Sequence, residues 1–326
     1  MIPLSILELG RVRQGADRRT ALIEARSLAQ HAEQLGYGRI WIAEHHNSAS
    51  VTTAATSIVI AHIAAGTTSI RVGAGGIMLP NHAPYIIAEQ FGTLEALFPG
   101  RIDLGLGRAP GTDQMTLRAL RRDPSNAENF PQDVQELQAF LGPKQANQRI
   151  EAVPGSGSNV PIWILGSSLF GAGLAANLGL PYGFASHFAP KALDQALDIY
   201  RTNFKPSAQL DKPYAIVGVN VIAADTDEEA RYLATSQQMS FTDLVRGTRG
   251  LMQPPIENIE TYWSPQEKSH AGQMLACSVI GSRETVRNGL LKLIEKTQAD
   301  ELMVVSDIFD PVKRLRSIEI TAQAMA

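Results

Sequence analysis

A chain of 326 residues is too long for a minimal domain and has about the length of one barrel with loops. Hydrophobic residues make up 44% of it and charged residues 19%, which indicates a large buried core and argues against a disordered chain. The net charge is −3 and there is no block of basic residues, which argues against a nucleic-acid partner.

Three sequence features bear on the compartment. The single cysteine, Cys277, excludes an internal disulfide and a cysteine-based metal cluster, and this fits a reducing environment. Residues 1–8 lack the basic start of a signal peptide and have the composition of a strand. Residues 51–70 are uncharged, but their threonine and serine residues favour a buried helix over a membrane span. We therefore expect a cytoplasmic protein without a membrane partner.

In chain order, short apolar runs alternate with amphipathic stretches, which is the pattern of repeated βα units and a parallel sheet. Eight strands, each followed by a helix, predict an α/β fold of the (β/α)8 TIM-barrel class. A doubly wound open sheet is the competitor, but no glycine-rich phosphate turn follows the first strand. The predicted strands are 4–9, 39–44, 70–78, 102–106, 162–165, 183–186, 215–222 and 301–305. The predicted helices are 20–35, 54–65, 85–97, 129–140, 169–178, 191–204, 227–238, 283–296 and 311–323.

Two regions fit a minimal barrel poorly and are predicted to be loop insertions. Residues 144–159 contain a run of proline, glycine and serine, and residues 246–272 contain three prolines. Long ordered loops in compact domains are usually lids or binding segments. There is no repeat and no linker, so residues 1–326 are predicted to form a single domain.

The most informative polar cluster is Glu44, His45 and His46, which directly follows the second predicted strand. Side chains at the carboxyl ends of parallel strands enter the cleft of an α/β protein. Imidazoles titrate near physiological pH and can move protons there. The alternative is a histidine pair that caps the next helix or faces solvent.

The next two strands end in residues suited to a flat, phosphorylated ligand. Gly75 and Gly76 lie late in the third strand, where they indicate a bulge, an unusual peptide geometry, a flat ligand against the backbone, or close helix–strand packing. Arg108 follows the fourth strand, where its guanidinium suits a phosphate or an ordinary ion pair. Ser167 and Ser168 open a helix after the fifth strand, which suits either a phosphate or a plain N-cap. Together these features predict a phosphorylated, aromatic cofactor.

A metal site is the main alternative, and it is not predicted. His45 and His46 are adjacent, so on an extended strand they point to opposite faces and do not share an ion easily. Asp307 is the only obvious acid at a late strand end, and His82 and His187 are loop residues without a diagnostic spacing. A serine hydrolase is not predicted either, because no Gly-x-Ser-x-Gly turn follows a strand.

With these motifs in order, the chain resembles the bacterial luciferase-like flavin-dependent monooxygenases over nearly its full length. No single motif is diagnostic, but their order and spacing are highly specific. Residues 107–113 (GRAPGTD) are typical of an uncharacterised bacterial branch of that family. The matching segments are 41–46 (WIAEHH), 72–80 (VGAGGIMLP), 88–90 (AEQ), 99–108 (PGRIDLGLGR), 161–168 (PIWILGSS) and 279–282 (VIGS).

The resemblance implies a barrel that binds reduced FMN at its carboxyl face. His45 matches the active-site histidine, and Glu44 beside it in the same motif is expected to be catalytic as well. Gly75 and Gly76 match the segment that supports the isoalloxazine ring, often through a cis peptide. The phosphate-binding positions of the family fall on Arg108, Ser167 and Ser168.

The function implied is a two-component monooxygenase that uses O2, a small organic substrate and reduced FMN from a separate flavin reductase. The chain has no nicotinamide fingerprint of its own. A deazaflavin-dependent hydride transfer and a non-catalytic flavin-binding role remain alternatives. The luciferase cysteine beside the flavin falls on Gly107, which argues against light emission.

The two predicted helices 54–65 and 85–97 carry few charges for the outer ring of a monomeric barrel. The family resemblance also implies a dimer through these helices. We expect a homodimer, with cover by a loop of the same chain as the alternative.

Overall fold

The computed structural model describes residues 2–109, 113–248 and 250–326. Within these residues nine strands form one parallel sheet. The strands are β1 (Leu4–Glu8), β2 (Arg39–Ile42), β3 (Arg71–Met78), β4 (Ile102–Gly107), β5 (Ile162–Gly166), β6 (Tyr182–Phe184), β7 (Ala215–Ala223), β8 (Ser278–Gly281) and β9 (Glu301–Val305).

Eight of these strands close into a barrel. The order runs from β1 to β7 without a break, and β9 then pairs with both β7 and β1. Because all eight were predicted and each pairing is parallel, the predicted (β/α)8 TIM barrel is confirmed. The ninth strand, β8, was not predicted. It pairs only with the last four residues of β7, beside the barrel mouth.

Helices pack around the barrel, and nine of them lie close to the predicted positions, whereas the helices at residues 114–119 and 265–274 were not predicted. None of those in the described residues is long and apolar enough to span a bilayer. The longer helices are α1 (Arg18–Gln34), α2 (Thr56–Ala64), α3 (Pro84–Leu97), α4 (Gln114–Ala119), α5 (Phe130–Leu141), α6 (Leu169–Leu178), α7 (Leu193–Thr202), α8 (Asp227–Arg246), α9 (Pro265–Met274), α10 (Arg283–Thr297) and α11 (Pro311–Met325).

The predicted insertion 246–272 is partly helical. Helix α8 continues eight residues beyond its predicted end and stops at Gly247, whose φ of 75° is the left-handed conformation that ends many helices. Helix α9 begins with Pro265, a residue that suits the first helical position, and Ser264 and Glu267 form a capping box. The proline that had suggested a loop therefore starts a helix.

Side chains along the barrel strands alternate between the interior and the helix-facing side. The apolar interior layer contains residues from five strands, whereas their neighbours pack against the helices. This layer closes the barrel below its mouth. Its members are Leu7, Trp41, Ala43, Trp163, Ile216, Met303 and Val305.

Candidate active site

The motif after β2 divides its polar side chains between two environments. Trp41 and Ala43 belong to the interior layer, so the alternation places His45 on the inner side of the mouth. Glu44 and His46 lie on the other side of the chain, where they bond to each other.

Glu44 is the centre of a hydrogen-bonded group above β2 and β3. Its Oε1 lies 2.7 Å from Nε2 of His46 and 2.8 Å from Nε2 of His82, and its Oε2 accepts the Met78 backbone N–H at 3.2 Å. Burial alone would raise the pKa of Glu44, but the hydrogen bonds from the two imidazoles outweigh it and hold the pKa below its ordinary value. An ionised carboxylate only accepts hydrogen bonds, so both imidazoles carry a hydrogen on Nε2. Glu44 thus fixes the tautomer and orientation of two histidines.

The same three residues have the spacing of a metal site. Glu44, His46 and His82 offer ligand atoms that all lie within 4.8 Å of one another. The two Nε2–H groups already satisfy the buried carboxylate, so the group is complete as a hydrogen-bonded network. The expectation that no metal binds stays a prediction. Sequence reasoning placed His82 in a loop and missed that it meets Glu44 at the edge shared by β2 and β3.

Gly75 and Gly76 form a backbone surface that leaves no room for side chains. A Cβ on Gly75 would lie 2.7 Å from Leu7 and 2.8 Å from Trp41, and one on Gly76 would lie 2.6 Å from the Gly105 carbonyl oxygen. The peptide bond between the two glycines is cis. At Gly75 and Gly76 the mouth therefore has a floor of bare backbone, against which a flat ring can lie.

Arg108 and the two serines follow the neighbouring strands β4 and β5. The Arg108 guanidinium lies 4.1 Å from the ring centre of Phe170, in the first turn of α6. Ser168 is the N-cap of α6, yet its side chain makes no capping hydrogen bond within the described residues. The helix start and the guanidinium together form a site suited to a phosphate. Pro110, Gly111 and Thr112, which belong to the quoted 107–113 segment, lie outside the described residues.

The structure adds His187, which sequence reasoning mentioned only as a loop residue. It follows β6, and its Nδ1 lies 2.6 Å from the position of a Cβ on Gly218 of β7. Burial lowers the pKa of His187 to about 4, with Asp307 opposing this effect and His45 adding to it. Asp307 and His45 therefore both act on His187 across one mouth.

The insertion also reaches this end of the barrel. Met252 pairs with the segment after β1, because its N–H donates to the Val12 carbonyl and its carbonyl accepts from Gln14 N–H. Arg11, on the same segment, forms an ion pair with Asp307 at 2.9 Å. The start of the insertion is thus fixed at the rim of the mouth.

Three comparisons identify what the chain is similar to. A family model described as luciferase-like monooxygenase matches residues 2–301. An Escherichia coli (strain K12) protein named luciferase-like monooxygenase is 51% identical over 320 residues, which cover 98% of this chain and 96% of that protein. The crystal structure of apo-MsnO8 has a TM-score of 0.93 at 35% identity and covers 100% of this chain and 98% of its own.

A more distant solved structure shares the fold alone. The oxygenating constituent of 3,6-diketocamphane monooxygenase from a Pseudomonas putida plasmid, in complex with FMN, has a TM-score of 0.72 at 17% identity. The alignment covers 99% of this chain and 97% of that one.

Proposed function

Because the chain belongs to the luciferase-like monooxygenase family, we propose that it is a two-component monooxygenase. It takes reduced FMN from a separate flavin reductase and uses O2 to oxidise a small organic substrate. One observation carries the proposal. Three features follow one another on consecutive strands of one barrel mouth: His45 beyond β2, the bare-backbone floor of β3, and the guanidinium and helix start beyond β4 and β5.

The residues of this mouth fit FMN part by part. Gly75 and Gly76 lie under the isoalloxazine ring, since a side chain at either position would collide with the barrel. Arg108, Ser167 and Ser168 hold the phosphate, for which they offer a guanidinium, hydroxyl groups and the amino end of α6. When bound, reduced FMN supplies the electrons that activate O2.

His45 has the protonic role in this proposal, and Glu44 has a supporting one. His45 stands on the inner side of the mouth, where it moves a proton to or from the reacting atoms. Glu44 is buried, so it is a positioning residue that orients His46 and His82 rather than a group that touches the substrate.

The phosphate test compares FMN with riboflavin, which lacks the phosphate. We expect Arg108→Gln to weaken binding of FMN by about 10-fold to 100-fold, the value of a charge-assisted hydrogen bond, and to leave riboflavin binding unchanged. Binding is measured by quenching of flavin fluorescence. Arg118→Gln, on the exposed face of α4, is the matched control. Equal weakening of both flavins would contradict the assignment of Arg108.

The reaction itself is tested by stopped-flow mixing of the reduced-FMN complex with O2. A flavin absorbance change that His45→Asn alters supports the proposal. If a deazaflavin coenzyme binds in place of FMN and its reduced complex does not react with O2, the result would favour hydride transfer. Tight binding of oxidised FMN without turnover would favour a flavin-binding protein.

We also propose that the protein is a homodimer through α2 and α3. Ile58 on α2 is 70% exposed and Ile86 on α3 is 45% exposed, whereas Ile60 packs inward and is fully buried. Light scattering should show a dimer that Ile58→Glu dissociates. Ile150→Glu, at a 63% exposed isoleucine outside these helices, should leave it intact. A monomeric wild-type protein would contradict this assembly.

A further inference from the structure

The mouth of the barrel has a second imidazole that the proposed function does not use. Along β7, Val217 and Val219 pack toward the helices, and Ile216 belongs to the interior layer. Gly218 therefore faces the interior by the same alternation. The His187 ring occupies the space that a side chain on Gly218 would fill. His187 thus stands inside the mouth rather than in an outer loop.

His187 and His45 belong to opposite sides of the barrel. His45 follows β2 and His187 follows β6, and these strands are four apart in a closed ring of eight. Gly75 on β3 and Gly218 on β7 are opposed in the same way. A flat tricyclic ring that rested on Gly75 and Gly76 and extended across the mouth would point toward the side where His187 stands over Gly218.

The backbone around His187 holds its ring in place. The Asn220 side-chain amide donates to the His187 carbonyl oxygen at 2.5 Å, and the Phe188 ring packs edge-on against the imidazole. Ser186 beside it donates to the Gly218 carbonyl oxygen at 2.5 Å. Such supports keep a ligand-facing group in one orientation.

The two ring nitrogens of His187 differ. Nδ1 is fully buried and has no hydrogen-bond partner among the described residues, although the residue as a whole is only half-buried. A buried N–H without an acceptor is rarer than a buried lone pair, so the hydrogen belongs on Nε2. Burial keeps the pKa of His187 near 4, so the ring is neutral at physiological pH. It offers one N–H donor without a charge.

We propose that His187 is a ligand-contacting residue, and that its Nε2–H donates a hydrogen bond to a carbonyl oxygen of the isoalloxazine ring. The inference rests on the proposed flavin function and adds to it the far wall of the binding site. A neutral imidazole donor suits a carbonyl acceptor, because no charged side chain has to be desolvated for the contact to form.

The test follows the imidazole nitrogens of the seven histidines by nitrogen-15 NMR while reduced FMN is added without oxygen. We expect the His45 and His187 signals to shift and that of His270, an exposed residue on α9, to stay. Single His→Gln variants assign the signals. A shift of His45 without one of His187 would overturn the inference and leave the flavin proposal intact. No shift of either would refute the flavin proposal itself.

Two variants measure the hydrogen bond. His187→Phe keeps a ring without a donor and should weaken FMN binding about tenfold, the value of one hydrogen bond. His187→Gln restores an N–H donor and should bind FMN within about threefold of the wild type. His270→Gln is the control. FMN binding by His187→Phe as tight as that of the wild type would overturn the contact.

Discussion

The two ends of the barrel interior are both polar, but they are built differently. At the amino end, Asp103 accepts hydrogen bonds from Arg39 at 2.7 Å, from Arg71 at 2.6 Å and from the Trp41 indole at 3.1 Å. Glu301 is equally well paired, because Arg39 donates to it at 2.8 Å and Ser5 and Tyr214 also donate. Two carboxylates and two guanidinium groups thus form a closed, charge-balanced network.

The carboxyl end is paired less completely. Besides the Glu44 group and the Arg11–Asp307 ion pair, it has bare glycine backbone and His187, whose Nδ1 lacks a partner among the described residues. Polar groups left with free hydrogen-bonding capacity inside a fold usually belong to functional sites. The comparison therefore supports the proposal that the mouth binds a ligand, whereas the paired amino end stabilises the barrel.

Removal of a charge at the amino end should give the largest effect and tests the difference between the two ends most directly. Asp103→Asn keeps the shape of the side chain but leaves two guanidinium groups short of a counter-charge, one of them on the largely buried Arg39. We expect the free energy of unfolding in urea to fall by roughly 3–5 kcal/mol. Asp198→Asn, on the exposed face of α7, should change it by less than about 0.5 kcal/mol. By contrast, His45→Asn should change the flavin chemistry and leave the free energy of unfolding nearly unchanged.

The sequence predicted the barrel well because each barrel strand is an apolar run bounded by turns. It did not predict β8, whose four residues are too few for a periodic signal. It also missed α9, since Pro265 suggests a loop unless the capping box around it is recognised. Local patterns identify long elements reliably, and short ones depend on contacts that form only in the fold.

For the site, the sequence identified residues that follow strands but not their partners. Glu44 and His46 stand in one motif, whereas His82 joins them from beyond β3. His187 is recognisable only beside Gly218, whose missing side chain makes room for the ring. Such pairs depend on strand register, which composition and spacing do not specify.

Lowering the pH should destabilise the protein through His187 in the mouth, because burial lowers the pKa of this residue to about 4 from an ordinary value of 6.5. The unfolded chain therefore takes up a proton first as the pH falls. The contribution of the neutral His187 to the free energy of unfolding is therefore complete above pH 6.5. It is lost as the pH falls toward 4, by at most about 3 kcal/mol.

Urea unfolding of the wild type and of His187→Phe at pH 7 and pH 4.5 measures this contribution. The wild type should lose more stability on acidification than the variant, in which the titrating imidazole is absent. Asp307 and His45, the titratable neighbours of His187, are present in both proteins. Equal losses would show that the pKa of His187 is not lowered in the folded protein.

Filling the space beside His187 should give the smallest change in the free energy of unfolding. It also tests whether the position of the His187 ring matters for ligand binding as well as for packing. A Cβ at Gly218 would lie 2.6 Å from the His187 Nδ1, so Gly218→Ala must push the imidazole aside. We expect a loss of about 1–3 kcal/mol in the free energy of unfolding, together with weaker FMN binding. In Gly272→Ala, on an open surface of α9, the new methyl group meets nothing within 4 Å. That variant should gain about 0.5–1 kcal/mol through helix propensity and bind FMN normally. If Gly218→Ala bound FMN as well as Gly272→Ala does, the position of the His187 ring would not matter for the ligand, and the mouth would resemble the amino end in serving stability alone.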